Sequence, residues 1–330
     1  MRPFEYRRAQ DAATAVAEVR SRPDAAFLAG GTNLVDHMRL GVAEPELLVD
    51  ISELPLDRVE PLADGGLRIG AQVRNSDLAA HPLVRAHYPL LARALLSGAS
   101  GQLRNMATTG GNLLQRTRCP YFQDTSTPCN KREPGSGCSA LDGHTRDAAI
   151  LGASQDCVAV HPSDMAVALA ALDAVVLVQG ADGERRVKLT GFHRLPGQQP
   201  QRDTVLEHGD LVTAVELPAL PMAKYSRYRK VRDRASFAFA LGSVAAALDV
   251  RGDVVADARV ALGGVAHKPW RAYRAEERLR GAPADEPAFR AAADAELAAA
   301  EPLRGNQFKV PLVRNAMVST LQEIAEGQQP

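Results

Sequence analysis

The sequence predicts a mixed α and β protein of two domains, and three observations carry that expectation. Strand-like apolar runs alternate with helical segments along most of the 330 residues, Pro218 and Pro221 interrupt regular structure near residue 220, and residues 116–155 lack sustained periodicity. With 45% hydrophobic and 24% charged residues, the chain has the composition of a soluble protein able to bury a sizeable core. Its formal net charge of zero gives no global field toward nucleic acid or anionic lipid. Met1-Arg2-Pro3-Phe4-Glu5-Tyr6 lacks the apolar core of a secretory signal, and no run of about 18 apolar residues could span a bilayer.

Residues 11–22 place Ala12, Ala15, Val16 and Val19 near one face and Glu18 and Arg20 away from it, which predicts an amphipathic helix. Ala25-Ala26-Phe27-Leu28 then leads through Ala29-Gly30-Gly31-Thr32-Asn33 into Leu34-Val35-Asp36-His37-Met38, giving a strand, a tight glycine turn and a helix. Strands follow at 47–51 and 67–73, and helices at 76–80 and 89–97. After the aperiodic segment, 163–172 reads as a helix and 174–178 and 211–217 as apolar strands. Beyond the prolines, 225–231 is strand-like, 237–250 is strand or helix, 254–265 is another apolar run, and alanine-rich helices are expected over 269–281 and 287–300. A last helix over about 310–325 closes a second domain spanning 221–330, the first spanning 1–220.

Two motifs carry chemistry. Gly30-Gly31-Thr32-Asn33 and Thr108-Thr109-Gly110-Gly111-Asn112 each pair a glycine doublet with Thr and Asn. Glycine permits positive φ and close backbone approach, so successive N–H groups can face a phosphate; tight structural turns are the plainer reading. Neither motif is the Gly-x-Gly-x-x-Gly of a dinucleotide fold or the Gly-Lys-Ser/Thr of a phosphate loop. The second motif is followed by all four cysteines, Cys119, Cys129, Cys138 and Cys157. Their spacings match no zinc-finger or ferredoxin pattern. Arg116, Arg118, Lys131, Arg132 and Arg146 lie in or beside the segment and suit an anionic iron–sulfur cluster, while zinc, two disulfides or four free thiols stay open from spacing alone. An aperiodic segment of this length calls for something to order it.

Leu28 to Leu34 and Arg104 to Gln115 resemble the two flavin-binding loops in the FAD subunit of molybdenum hydroxylases, the xanthine dehydrogenase and carbon monoxide dehydrogenase family. More narrowly, Arg118-Cys119-Pro120-Tyr121-Phe122, Pro128-Cys129-Asn130-Lys131-Arg132, Pro134-Gly135-Ser136-Gly137-Cys138 and His161-Pro162-Ser163-Asp164-Met165-Ala166 are similar to the FAD subunit of bacterial periplasmic aldehyde oxidoreductases. The likeness continues through Tyr228-Arg229-Lys230-Val231 and Ala261-Leu262-Gly263-Gly264 in the second domain.

That resemblance implies an α+β fold: a two-subdomain FAD-binding unit of the vanillyl-alcohol-oxidase type, then a C-terminal α/β domain with a three-stranded sheet. It implies that Cys119, Cys129, Cys138 and Cys157 ligate a 4Fe–4S cluster in an insertion at about 116–158. It assigns Ala29, Gly30, Gly31, Thr32, Asn33 and Leu34 to the FAD pyrophosphate and Thr109, Gly110, Gly111 and Asn112 to the opposite wall. Ser163 and Asp164 would hold the adenosine or phosphate side, Lys230 would sit beside the isoalloxazine edge, and Leu211 or Val212 would pack near the ring. His161 and His267 are not assigned as ligands, and Trp270 is read as a packing or interface residue.

The function so implied is electron transfer within a heterotrimer. Aldehyde oxidation takes place at a molybdenum cofactor on one partner, electrons arrive through 2Fe–2S clusters on another, and FAD on this chain passes them to an external acceptor. The complex is expected in the periplasm, exported with a signal-bearing partner, the cytoplasm being the alternative. A self-sufficient flavin oxidase or dehydrogenase and a zinc-stabilised scaffold are the rival readings.

Overall fold

The computed structural model describes residues 1–328 and arranges them around three sheets. β1 (Glu5–Arg8), β2 (Ala25–Leu28) and β3 (Leu47–Asp50) form a parallel sheet in the order β1-β3-β2. Parallel strands need crossovers, and the helix Ala12–Ser21 connects β1 to β2, which lie on either side of β3. Asp11 caps that helix by accepting from the Thr14 amide at 2.7 Å. Its inner face, Ala15, Val16 and Val19, joins Leu47 and Val49 of β3 in one buried cluster.

A second, antiparallel sheet holds β4 (Val59–Pro61), β5 (Leu67–Gly70), β6 (Val175–Gly180), β7 (Gly183–Lys188) and β8 (Leu211–Leu217) in the order β4-β5-β8-β6-β7. The central strand β8 is buried at every position, which is why it reads as a nearly continuous apolar run. Periodicity does not reveal β1, β4 or β7. All three are edge strands, mostly exposed and rich in charge, a composition that discourages further pairing.

The third sheet, β9 (Ser226–Val231), β10 (Gly242–Arg251), β11 (Val254–Gly263) and β12 (Trp270–Arg271), is antiparallel in the order β12-β11-β10-β9. Its three long strands are joined at one edge by a two-residue fourth, in a place where a helix was expected from residue 269. The helix begins only at Tyr273. Arg271 holds the preceding segment extended by donating to Ala170 O at 2.5 Å and Asp173 at 2.7 Å and by pairing with buried Glu276. The ambiguous run over 237–250 proves to be loop up to residue 241 and strand thereafter. Helices Glu286–Leu297 and Lys309–Glu326 contribute Phe289, Met317 and Leu321 to the cluster containing Val244, Leu248 and Val260.

The helix Asp164–Ala171 is buried on all sides. It packs against the helix Pro89–Ser97 and against β10 and β11, so its N-terminus faces β9. Residues 116–158 contain only the short helix Pro120–Gln123 and an isolated bridge between Cys129 and Cys138. Polar side chains order the rest. Asn130 Oδ1 accepts from the Gly135 and Gly137 amides at 3.1 and 2.8 Å while its Nδ2 donates to Asp156 O at 3.1 Å. Buried Lys309 donates to Ala148 O at 2.9 Å and Gly264 O at 2.5 Å, tying the end of the segment to the third sheet. No described helix is long and apolar enough to cross a membrane.

Candidate functional site

The two glycine motifs face each other across a cleft, but they are not equivalent. In the first, the backbone amides of Gly30, Gly31, Thr32 and Asn33 donate to no acceptor among the described residues. Gly31 has φ +70°, and a Cβ on Gly30 would lie 1.9 Å from Met106 O, so both glycines are required by the path of the chain. Consecutive amides without an acceptor at a positive-φ turn are the kind of donor set that backbone anion sites use.

The second motif is not a loose turn but the start of a short helix, Thr109–Leu113, capped by Thr108. Its amides are already engaged: Thr109 N with Val73 O at 3.0 Å, Gly110 N with Ala71 O at 2.9 Å, Gly111 N with Thr108 Oγ1 at 3.2 Å and Asn112 N with Thr108 O at 2.8 Å. It therefore contributes a wall of fixed shape rather than a second set of phosphate donors. Thr109 departs from the expectation, being fully buried and donating its hydroxyl to Val73 O at 3.1 Å, away from the cleft.

Three adjoining cavities follow the cleft. The first, about 250 Å³, is lined by Ala29, Gly30, Gly31, Leu34 and Gly110, with Leu211 and Val212 beneath. The second, about 340 Å³, brings together Thr32, Asn33, Gly111, Asn112, Asp164 and Lys230. It shares Thr32, Asn33 and Gly111 with the first. The third, about 250 Å³, is reached past Arg118, Asp164 and Phe239 and includes Ser163 and His161. Only the second reaches by itself the roughly 300–1,000 Å³ of small-molecule sites, but the three adjoin, and their succession gives an elongated rather than rounded space.

Ser163 links the walls. Its hydroxyl caps the helix Asp164–Ala171 by accepting from Ala166 N at 2.9 Å and donates to Asn112 Oδ1 at 2.6 Å. Asp164, on the first turn of that helix, accepts from Lys230 Nζ at 2.7 Å and Tyr228 Oη at 2.5 Å. Lys230 also donates to Ser97 O at 3.1 Å. Asp164, assigned with Ser163 to the adenosine or phosphate side, and Lys230, assigned to the isoalloxazine edge, form a direct ion pair and so share one place in the cleft. Tyr228 was not foreseen, although its position two residues before Lys230 on a strand places it on the same face. Burial and the neighbouring Asp164 carboxylate hold its phenol well above the ordinary range.

The four cysteines are all unbridged and line one further small cavity, with Asn130 and Lys131 among its walls. That cavity shares Thr117, Cys119, Ala140 and Ala159 with the third cavity of the cleft. Burial pushes the Cys157 thiol up to about 12, against the opposing pull of Lys131, and raises Cys119 as well. Among the described residues, no three His, Cys, Asp or Glu side chains converge on a position for a single metal ion. Beside the thiols, His161, His193 and His267 are buried and neutral; burial first, then neighbouring cations or histidines, lowers each, to about 4 for His193 and His267.

Residues 2–220 match the FAD binding domain in molybdopterin dehydrogenase and residues 226–324 match the CO dehydrogenase flavoprotein C-terminal domain. The chain belongs to the FAD-binding subunits of the molybdopterin dehydrogenase family. It is 52% identical to the aldehyde oxidoreductase FAD-binding subunit PaoB of Escherichia coli K12, over 98% of each chain. It is 29% identical to the glyceraldehyde dehydrogenase medium chain of Sulfolobus acidocaldarius, over 84% of this chain and 81% of that one. Among solved structures, carbon monoxide dehydrogenase from Hydrogenophaga pseudoflava superposes with a TM-score of 0.77 at 26% identity, covering 100% of this chain and 99% of that one.

Proposed function

We propose that this chain is the FAD- and 4Fe–4S-carrying electron-transfer subunit of a molybdenum-dependent aldehyde oxidoreductase, partnered by a molybdenum-cofactor subunit and a 2Fe–2S subunit and exported with a signal-bearing partner. One observation carries the reading: four free thiols surround a cavity that shares walls with the cleft between the glycine motifs. The likeness to an aldehyde oxidoreductase subunit over nearly the whole chain supports the aldehyde assignment.

The donor set fits both groups. Free amides from Gly30 to Asn33 suit a pyrophosphate, and the elongated cleft suits a dinucleotide. A zinc ion would need four sulfurs at about 2.3 Å from one point. Four thiols lining one cavity, with the buried ammonium of Lys131 in its wall, suit an anionic thiolate-ligated cluster. When bound, FAD exchanges one or two electrons and so joins one-electron centres to a two-electron acceptor. The chain supplies the rest. The first glycine motif anchors the anionic part, the helical wall fixes the width of the cleft, and the Asp164–Lys230 pair places a hydrogen-bonding carboxylate and ammonium side by side in the second cavity.

The test is a visible spectrum of the anaerobically purified complex with iron, zinc and flavin analysis. Flavin bands on a broad iron–sulfur shoulder, with about four irons assigned to this chain, are expected, and serine at each cysteine in turn should remove that iron. Colourless zinc-loaded protein would sink the proposal. Full aldehyde turnover by this chain without partners would replace it with a self-sufficient flavoenzyme.

A further inference from the structure

Lys131 is a buried cation with an unusual setting. Its side chain is 1% exposed and lines the thiol cavity, and its ammonium donates to Pro200 O at 2.8 Å and to the Asp203 carboxylate. Asp203 also accepts from Arg116 Nε at 2.9 Å, and the Arg116 backbone N–H donates to Asn33 Oδ1 of the first glycine motif at 2.9 Å. His267 Nε2 lies 3.9 Å from the same carboxylate and has no hydrogen-bond partner. Two cations and one anion leave this bridge with a single net positive charge beside the four sulfurs.

We propose that the Lys131–Asp203–Arg116 bridge sets the reduction potential of the thiolate-ligated centre, with Lys131 as the charge that favours the added electron and Asp203 as the charge that limits the effect. The inference rests on the cluster reading given above. Net charge, hydrogen bonding and solvent exposure around a cluster govern its potential. A charge shielded from solvent acts over several ångströms with little screening. Lys131 is the cation that lines the cavity, with its side chain 1% exposed, whereas Arg116 is not among the cavity's lining residues and is 30% exposed. A purely structural staple predicts something different: loss of either partner would loosen the segment, without moving the potential in a direction that follows the sign of the charge removed.

The test is anaerobic redox titration of the complete complex, followed by electron paramagnetic resonance, for Lys131→Met, Lys131→Arg and Asp203→Asn. The 2Fe–2S signals of the partner serve as internal reference. Lys131→Met should lower the cluster potential, Asp203→Asn should raise it, and Lys131→Arg should leave it near the parent value. If Lys131→Met fails to retain iron, Asp203→Asn decides by itself: a rise supports the bridge as the tuning charge, and no rise overturns it. Shifts of the same sign, or none in iron-replete variants, overturn the inference while leaving the cluster reading intact. Absence of iron from the unmodified complex overturns both.

Discussion

Asp164 and Lys230 meet at 2.7 Å, with side chains 8% and 4% exposed, and join the start of the helix Asp164–Ala171 to strand β9. The contact lies in the wall of the second cavity, with Asn112 of the second glycine motif held to the adjacent Ser163. It also explains why Tyr228 and Ser97 O converge here: a buried carboxylate and ammonium need further partners to offset their lost hydration.

Removing one partner should therefore cost more than removing both. Lys230→Met leaves a buried carboxylate supported by Tyr228 alone and is expected to destabilise the chain by about 3–5 kcal/mol and to lower flavin content. Adding Asp164→Leu should recover part of the loss. Denaturant unfolding of the two single variants and the double variant measures the coupling; additive losses would show that the pair does not act as a unit.

The glycines differ sharply in what they tolerate. Gly30→Ala drives a methyl into Met106 O at 1.9 Å and should cost about 1–3 kcal/mol with loss of bound flavin. Gly101→Ala meets nothing within 4 Å and should change stability by no more than about 0.5 kcal/mol. Flavin-to-protein absorbance ratio and melting temperature separate the two cases.

Stability should fall in mild acid. His193 and His267 have folded values lowered by burial to about 4 from an ordinary 6.5, so between those pH values the unfolded chain binds protons that the folded chain excludes. The stabilisation is thus full above pH 6.5 and lost as pH falls toward 4, each group contributing at most about 1.4 kcal/mol per pH unit in that window. His193→Gln should flatten the slope of unfolding free energy against pH. An unchanged slope would show that His193 takes up its proton in the fold.

Asn130 is expected to be essential to the order of the cysteine segment. Asn130→Ala removes two hydrogen bonds that close the turn between Cys129 and Cys138 and a third that ties it to Asp156, and should cost about 1–3 kcal/mol locally. Limited proteolysis should then cut within 116–158 more rapidly and iron content should drop. Retained flavin would show that the damage is confined to the segment.

Much of this protein is legible in its sequence because local chemistry decides it. Asp11 and Ser163 announce helix starts by their hydrogen-bonding side chains, residues 25–34 announce strand, turn and helix, and β8 announces burial by its apolar run. The glycine doublets and the four cysteines likewise mark where the chemistry lies. Tertiary structure alone decided how those pieces work. Two motifs that look alike diverged because Ala71 O, Val73 O and Thr108 occupy the amides of one and nothing occupies those of the other, a matter of which strand lies alongside. Lys230 and Asp164 are 66 residues apart, and Lys131 and Asp203 are 72 apart, so only packing of distant elements could reveal their pairing. Sequence fixes which groups can ionise, ligate or cap, since those are properties of single residues and short spacings. Whether a buried charge finds its partner depends on the close-packed arrangement of the whole chain, and that is settled only when the sheets come together.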